Sequence, residues 1–465
     1  MRQSRGRAPG EKTVAPITRY HARWVLPVSA APVADGTVVV EDERISYVGP
    51  RHGAPTGPDV ELRDAILLPG LVNAHSHLDL TVMRRLLDGL PFFPWVRALT
   101  AARREAMTGA DFLDSAHAGI REGLLAGITC FADTAPGDAA FAAMLFTGVR
   151  GIAYREVFGP DPSQCDQSMS DLRESVREMT MRRTRLVSVG VSPHAPYSVS
   201  DALFTASSTF AREHDLPLAT HVAESDEEAK LVEQGEGEFA ALLHGRDIAV
   251  NPRARSPIAL LERCGVLESD PLLIHCCRLD DTDVATIGAR RLAVAHCPAS
   301  NAYFAHRPSP LVALLHAGAR VGLGTDSLAS NDRMSILGEA QLAVASTGGA
   351  LDARRAVELA TLGGARALNM AHEVGSLEVG KQADLAVYAL PAGEAIPDDP
   401  VSALVQLLHH ATAKLVVIAG RVLVRDGQLL AADDGIAARC LAASQRLVEW
   451  RRRRDPSWRP LRAIH

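Results

Sequence analysis

The stretch GLVNAHSH, residues 70–77, is an apolar run that ends in two histidines one residue apart. A β-strand turns residues i and i+2 to the same face, so His75 and His77 would project side by side from its end. That spacing suits a shared ion, although a bare His-x-His also arises by chance. The fold is decided by the recurrence of the pattern. Seven more apolar runs follow: GITCFAD (127–133), VRGIAYREV (149–157), LVSVGVSPH (186–194), PLATHV (217–222), PLLIHCC (271–277), LAVAHCP (292–298) and RVGLGTD (320–326). Helical segments such as ADFLDSAHAGIREGLLAG (110–127) and DALFTASSTFAREH (201–214) lie between them. Eight alternations of strand and helix predict an α/β chain folded as a (β/α)8 TIM barrel, whose catalytic groups collect at the C-terminal strand ends. Polar residues do collect there: Asp133, His194, His221, His275 and Asp326 close or nearly close their runs, with His296 near the end of another. Scattered core histidines would have no reason to gather at one end of successive strands.

Outside this middle, taken as residues 69–370, both ends are rich in β-type runs. HARWVLPV, DGTVVVEDERISYVG and DAILLPG before residue 69 share their style with GSLEVGKQADLAVYAL and KLVVIAGRVLVRDGQLL, within 371–435. Residues 1–68 and 371–435 are therefore expected to build one small composite β-sandwich, followed by a C-terminal helix and basic tail over 436–465. The run RRRR at 451–454 reads as a solvated helix end.

A chain of 465 residues exceeds the roughly 250–300 residues of a single core, which fits a large domain with a smaller companion. With 47% hydrophobic and 22% charged residues and no apolar run of about 18 residues, the composition is that of a soluble protein with no membrane role. The net charge of −6 gives no reason to invoke nucleic acid. The basic start lacks an apolar segment after it, so a cytoplasmic location is expected. Seven cysteines without a Cys-x-x-Cys fit reduced thiols, and adjacent Cys276 and Cys277 read as small buried hydrophobes. Helical and sandwich surfaces are compatible with a homo-oligomer of undetermined order.

A hydrolytic metal site takes three or four N/O ligands and keeps a position open for water. His75 and His77 from the first strand, His221 from the fifth and Asp326 from the eighth supply that set across the barrel mouth. Imidazole and carboxylate suit one divalent ion, zinc first and iron second, with no thiolate required. Such an ion lowers the pKa of its water from about 15.7 to about 7, so that metal-bound hydroxide is the expected nucleophile. Glu224, three residues after His221, is placed to shuttle protons to the leaving group. Asp326 can accept the first proton while ligated, and His275 can orient the hydroxide or polarise the attacked carbon. Plainer readings exist: Glu224 as a first-turn carboxylate of the helix ESDEEAK, favoured by the dipole, and His275 as a satisfied core histidine.

The set PGLVNAHSH, HVAES, LLIHC, AHCPASN and GLGTDSLASND, in this order, resembles the amidohydrolase superfamily, specifically its cytosine deaminase-like mononuclear branch. The likeness spans nearly the whole chain, through GSLEVGKQADLAVY. Binuclear branches carry a carboxylated lysine at the end of strand four; that strand here ends SVGVSPHAPYS, far from Lys12, Lys230, Lys381 and Lys414, the only lysines, so one metal is implied. Within the branch the wording is most similar to aminodeoxyfutalosine deaminases and S-adenosylhomocysteine/methylthioadenosine deaminases. The implied activity is hydrolytic removal of an exocyclic amine from an adenine-type nucleoside, with release of ammonia. The resemblance also implies that Trp95 and His194 line the substrate pocket, the first as a flat apolar face and the second as a hydrogen-bonding group. Arg155 could pair with a carboxylate on the distal part of the substrate. One departure stands out: the acidic residue that adenosylhomocysteine deaminases place shortly after this tryptophan has only the displaced Glu105 as counterpart. Guanine deaminases and triazine chlorohydrolases or aminohydrolases use a nearly identical centre and form the alternative. An inactive scaffold paralogue would have no need of four ligands and Glu224.

Overall fold

The computed structural model describes residues 17–391, 399–432 and 435–459. The basic start with Lys12, and residues 460–465 of the tail, lie outside them. Each of the eight apolar runs holds one strand: β6 (Leu71–Ser76), β7 (Ile128–Ala135), β8 (Arg150–Val157), β9 (Val187–Pro193), β10 (Ala219–Val222), β11 (Leu272–His275), β12 (Ala293–His296) and β13 (Arg320–Leu323). They form two four-stranded parallel sheets in chain order, β6 to β9 and β10 to β13. Parallel bridges Val191↔Leu218 and Ser76↔Asp326 join the sheets along both pairs of edges.

Strand alternation divides the side chains between two environments. Val72, Ala74, Ile152, Tyr154, Ala293 and Ala295 fall in one apolar cluster, while Leu71, Phe131, Ala153 and Val294 pack with the helices in another. The helices start on signals legible in the chain: Gly109–Leu125 carries a capping box of Thr108 and Asp111, and Asp201–Glu213 is capped by Ser200.

The two ends of the chain meet in one sheet. β1 (Ile17–Val25), β2 (Val33–Glu41), β3 (Arg44–Pro50), β4 (Asp59–Glu61) and β5 (Ala65–Pro69) join β14 (Leu385–Ala389), β15 (Leu415–Ile418), β16 (Arg421–Arg425) and β17 (Gln428–Leu429). This nine-stranded sheet is hydrogen-bonded without a break, its halves joined where β5 pairs antiparallel with β14. Ala65 and Leu67 face one apolar cluster, shared with Leu385 and Val417, whereas Ile66 and Leu68 face the main core. Both faces of β5 are thus covered, which is why AILLP is apolar throughout.

Where this sheet meets the parallel strands sits a buried guanidinium. Arg150, at the start of β8 and 1% exposed, donates from Nε and Nη2 to the Asp384 carboxylate at 2.8 and 3.1 Å, and from Nη1 to Glu373 at 3.3 Å. Asp384 also accepts from the Ala419 backbone N–H. Every described cysteine is free, and Cys276 and Cys277 are buried as expected. Among the described residues no helix is long and apolar enough to cross a membrane.

Candidate metal centre and active site

The opposite strand ends bring the expected ligands together. Nε2 of His77 and Nε2 of His221 lie 3.3 Å apart. Asp326 Oδ1 lies 3.4 Å from His75 Nε2 and 3.6 Å from His77 Nε2. His275 Nε2 is 4.0 Å from Asp326 Oδ2 and 3.6 Å from Glu224 Oε1. Both ring nitrogens of His75 are buried without a hydrogen-bond partner. Burial lowers the pKa values of His75, His77 and His221, and neighbouring imidazoles add to the effect at His77 and His221. Neutral imidazole is the form that ligates a metal. Burial pushes the Asp326 carboxyl up, but the contact with His75 and the surrounding imidazoles hold it well below the usual carboxylate range. Neutral ring nitrogens crowded around a buried carboxylate are costly to fold unless something satisfies them. One divalent cation with N/O ligands fits this donor set.

Neighbouring groups fix two of these ligands and the histidine beside them. The His221 ring donates Nδ1–H to the His194 carbonyl at 3.1 Å, leaving Nε2 for the centre. Asp326 accepts from Ser300 Oγ at 2.5 Å, from the Ser327 N–H at 2.6 Å and from Ser330 Oγ at 3.2 Å. His275 donates Nδ1–H to Asn301 Oδ1 at 3.0 Å, turning Nε2 inward. Glu224 precedes its helix, Asp226–Gln234, rather than lying in the first turn; Glu228 reaches back to accept from the Ala223 and Glu224 N–H groups at 2.8 and 3.3 Å. Four residues here, Ala223, His275, Cys276 and Asp326, have φ between 52° and 73°. Left-handed backbone at residues with a side chain is costly, and it gathers where a site needs unusual side-chain aim.

His77, His221, Glu224, His275 and Asp326 line a cavity of about 690 Å³ that also takes in Trp95 and His194. Trp95, on the helix Phe92–Ala106, meets Phe304 edge to face at 4.9 Å. Phe92, Tyr197 and Phe239 extend the apolar wall. His194 pairs with Ser198 Oγ at 2.7 Å, and burial pushes its pKa down to about 4.

Arg155 does not join them. Its Nε donates to Ser175 Oγ at 2.8 Å and its Nη1 to the Glu156 carbonyl at 3.0 Å. Parity is the reason: Ile152 and Tyr154 point inward, so Glu156 follows them and Arg155 points out. Glu156 lines the cavity, 4% exposed, with Oε1 unpartnered and its pKa pushed up to about 8 by burial. Glu105 also turns away, accepting from Trp450 Nε1 at 2.9 Å and from Arg454. Sequence reasoning missed Glu156, Asn301 and His306, whose Nε2 lies 3.8 Å from Glu224 Oε1. Counting alternation from Tyr154 would have found Glu156; Asn301 closes the motif AHCPASN without its role being read there, and no motif marks His306.

Residues 66–423 match the model of the amidohydrolase family. The chain belongs to that family. Among amidohydrolase relatives, a 5-methylthioadenosine/S-adenosylhomocysteine deaminase of Symbiobacterium thermophilum is 31% identical over 441 residues, covering 91% of this chain and 97% of the relative. A protein of the same name from Moorella thermoacetica is 29% identical, covering 88% and 94%. The crystal structure of an adenosine deaminase from Xanthomonas campestris with bound zinc superposes with a TM-score of 0.79 at 28% identity, covering 94% of this chain and 98% of that one.

Proposed function

We propose that this amidohydrolase is a hydrolytic deaminase that removes the exocyclic amine of an adenine-type nucleoside and releases ammonia. The convergence of His75, His77 and His221 on Asp326 at the floor of an aromatic-walled cavity carries this reading, and the named activities of the relatives support it. His75, His77, His221 and Asp326 would hold one divalent ion, with zinc first and iron second. When bound, such an ion supplies the Lewis acidity that makes water nucleophilic near neutral pH. Among the described residues no lysine lines the cavity, in keeping with a single ion.

The chain's own groups do the rest. Trp95 and its aromatic neighbours take the heterocycle and exclude water, and His194 offers a hydrogen bond. Glu224 receives a proton from the attacking water and delivers it to the departing amine. His275, aimed by Asn301, faces both Glu224 and Asp326 and steadies the oxygen being added. In this reading residues 69–370 form a closed (β/α)8 barrel, residues 1–68 and 371–435 a composite β-sandwich and residues 436–465 an appended helix and tail, in a cytoplasmic protein.

An ammonia-release screen over adenine nucleosides, guanine, cytosine and triazines tests the assignment, with metal analysis alongside and Glu224→Ala as control. Turnover of a 6-aminopurine nucleoside is expected, lost in the variant with metal retained. Turnover of guanine instead would move the protein to the alternative, and an inert, metal-free wild type would leave a scaffold.

A further inference from the structure

The helix Phe92–Ala106 forms one wall of the cavity. One face, Phe92, Trp95, Val96, Leu99 and Arg103, repeats at helical spacing toward the cavity. Among described helices and strands, the one that packs most extensively on this wall helix is the C-terminal helix Ile436–Arg454. Small residues Ala98, Ala101 and Ala102 share an apolar cluster with Leu447 and Trp450, and Trp95 belongs to the same cluster. At the end of the contact Glu105 closes a polar lock. It accepts from Trp450 Nε1 at 2.9 Å and from Arg454 Nη2 at 2.7 and 2.6 Å, while the Arg454 guanidinium lies over the Trp450 ring at 5.0 Å. Within the run 451–454, Arg452, Arg453 and Arg454 are exposed; Arg451 pairs with Asp455, and Arg454 serves this lock from the surface. Two other ion pairs, Arg439 with Asp114 and Arg446 with Asp111, tie the C-terminal helix to the helix Gly109–Leu125 instead.

We infer that the C-terminal helix is a clamp on the aromatic wall of the substrate cavity, with Glu105 as the positioning residue that Trp450 and Arg454 hold in place. The remote end of the chain thereby sets where Trp95 stands over the substrate. The inference rests on the deaminase reading for its kinetic consequence but not for its structural one.

Both are measured on the full chain with Arg454→Ala, Trp450→Phe and Arg446→Ala. Hydrogen exchange over residues 92–106 should speed by about two- to fivefold in the first two variants, the range a partly exposed ion pair supports, and stay unchanged in Arg446→Ala. KM for the best nucleoside should rise by a similar factor of about two to five, with kcat held. Unchanged exchange over 92–106, an equal response in Arg446→Ala, or faster exchange with KM unmoved would each overturn the clamp. Faster exchange in a protein that deaminates no nucleoside would keep the clamp and remove the deaminase reading.

Discussion

The two ends of the parallel strands use the same ingredients to opposite ends. At the lower end Arg150 is buried against Asp384 and Glu373, and all three of its terminal nitrogens have partners. At the upper end His75 has none, and His77 and His221 face each other across 3.3 Å. A satisfied ionic group specifies how two layers dock; an unsatisfied one is kept because something else must bind there. The pairing at the bottom is structure, and the crowding at the top is chemistry.

That contrast can be broken from either side. Glu224→Gln should lower kcat by about 10²–10⁴ while metal content and unfolding midpoint hold, since only a proton shuttle is lost; comparable loss of metal would make Glu224 a ligand. Arg150→Met should do the reverse. Leaving the Asp384 carboxylate buried and unpaired costs about 3–5 kcal/mol in a denaturant titration, with kcat per folded molecule unchanged. Chelation should destabilise by about 2.7 kcal/mol when the free ion had stood at a hundredfold its Kd, and His75→Ala should be indifferent to chelator in the same thermal scan.

The smallest effect concerns pH. Glu339 accepts from the Ala299 N–H at 2.9 Å and from Asn331 Nδ2 at 2.7 Å, and burial pushes its pKa from 4.5 up to about 8. The folded state therefore keeps a proton that the unfolded chain releases near pH 4.5. Stability contributed by this group is full below that pH and is lost as pH rises to about 8. Thermal midpoints of the metal-free protein across this range should decline less steeply in Glu339→Gln than in the wild type.

The eight strands were legible because each apolar run ended in polar residues, and a strand ladder leaves that mark locally. His75, His77, His221 and Asp326 were legible for the same reason, their grouping following from strand order. Arg155 failed because a strand-end position was weighed without its parity, which Tyr154 decides one residue earlier. Asn301 and His306 reach the site from the short helix Pro298–Tyr303 and the segment after it, where spacing along the chain carries little information about approach in space. The union of the chain's two ends was legible as a likeness of composition, but the unbroken nine-stranded sheet depends on the single register of β5 on β14, which no local pattern encodes.

That register shapes how the protein is made. Pro69 pairs with Leu385, so residues 65–69 leave the ribosome on the order of tens of seconds before their partner strand exists. Through that interval a wholly apolar segment waits with an unsatisfied edge. Closure of the composite sheet therefore waits until β14 has been made.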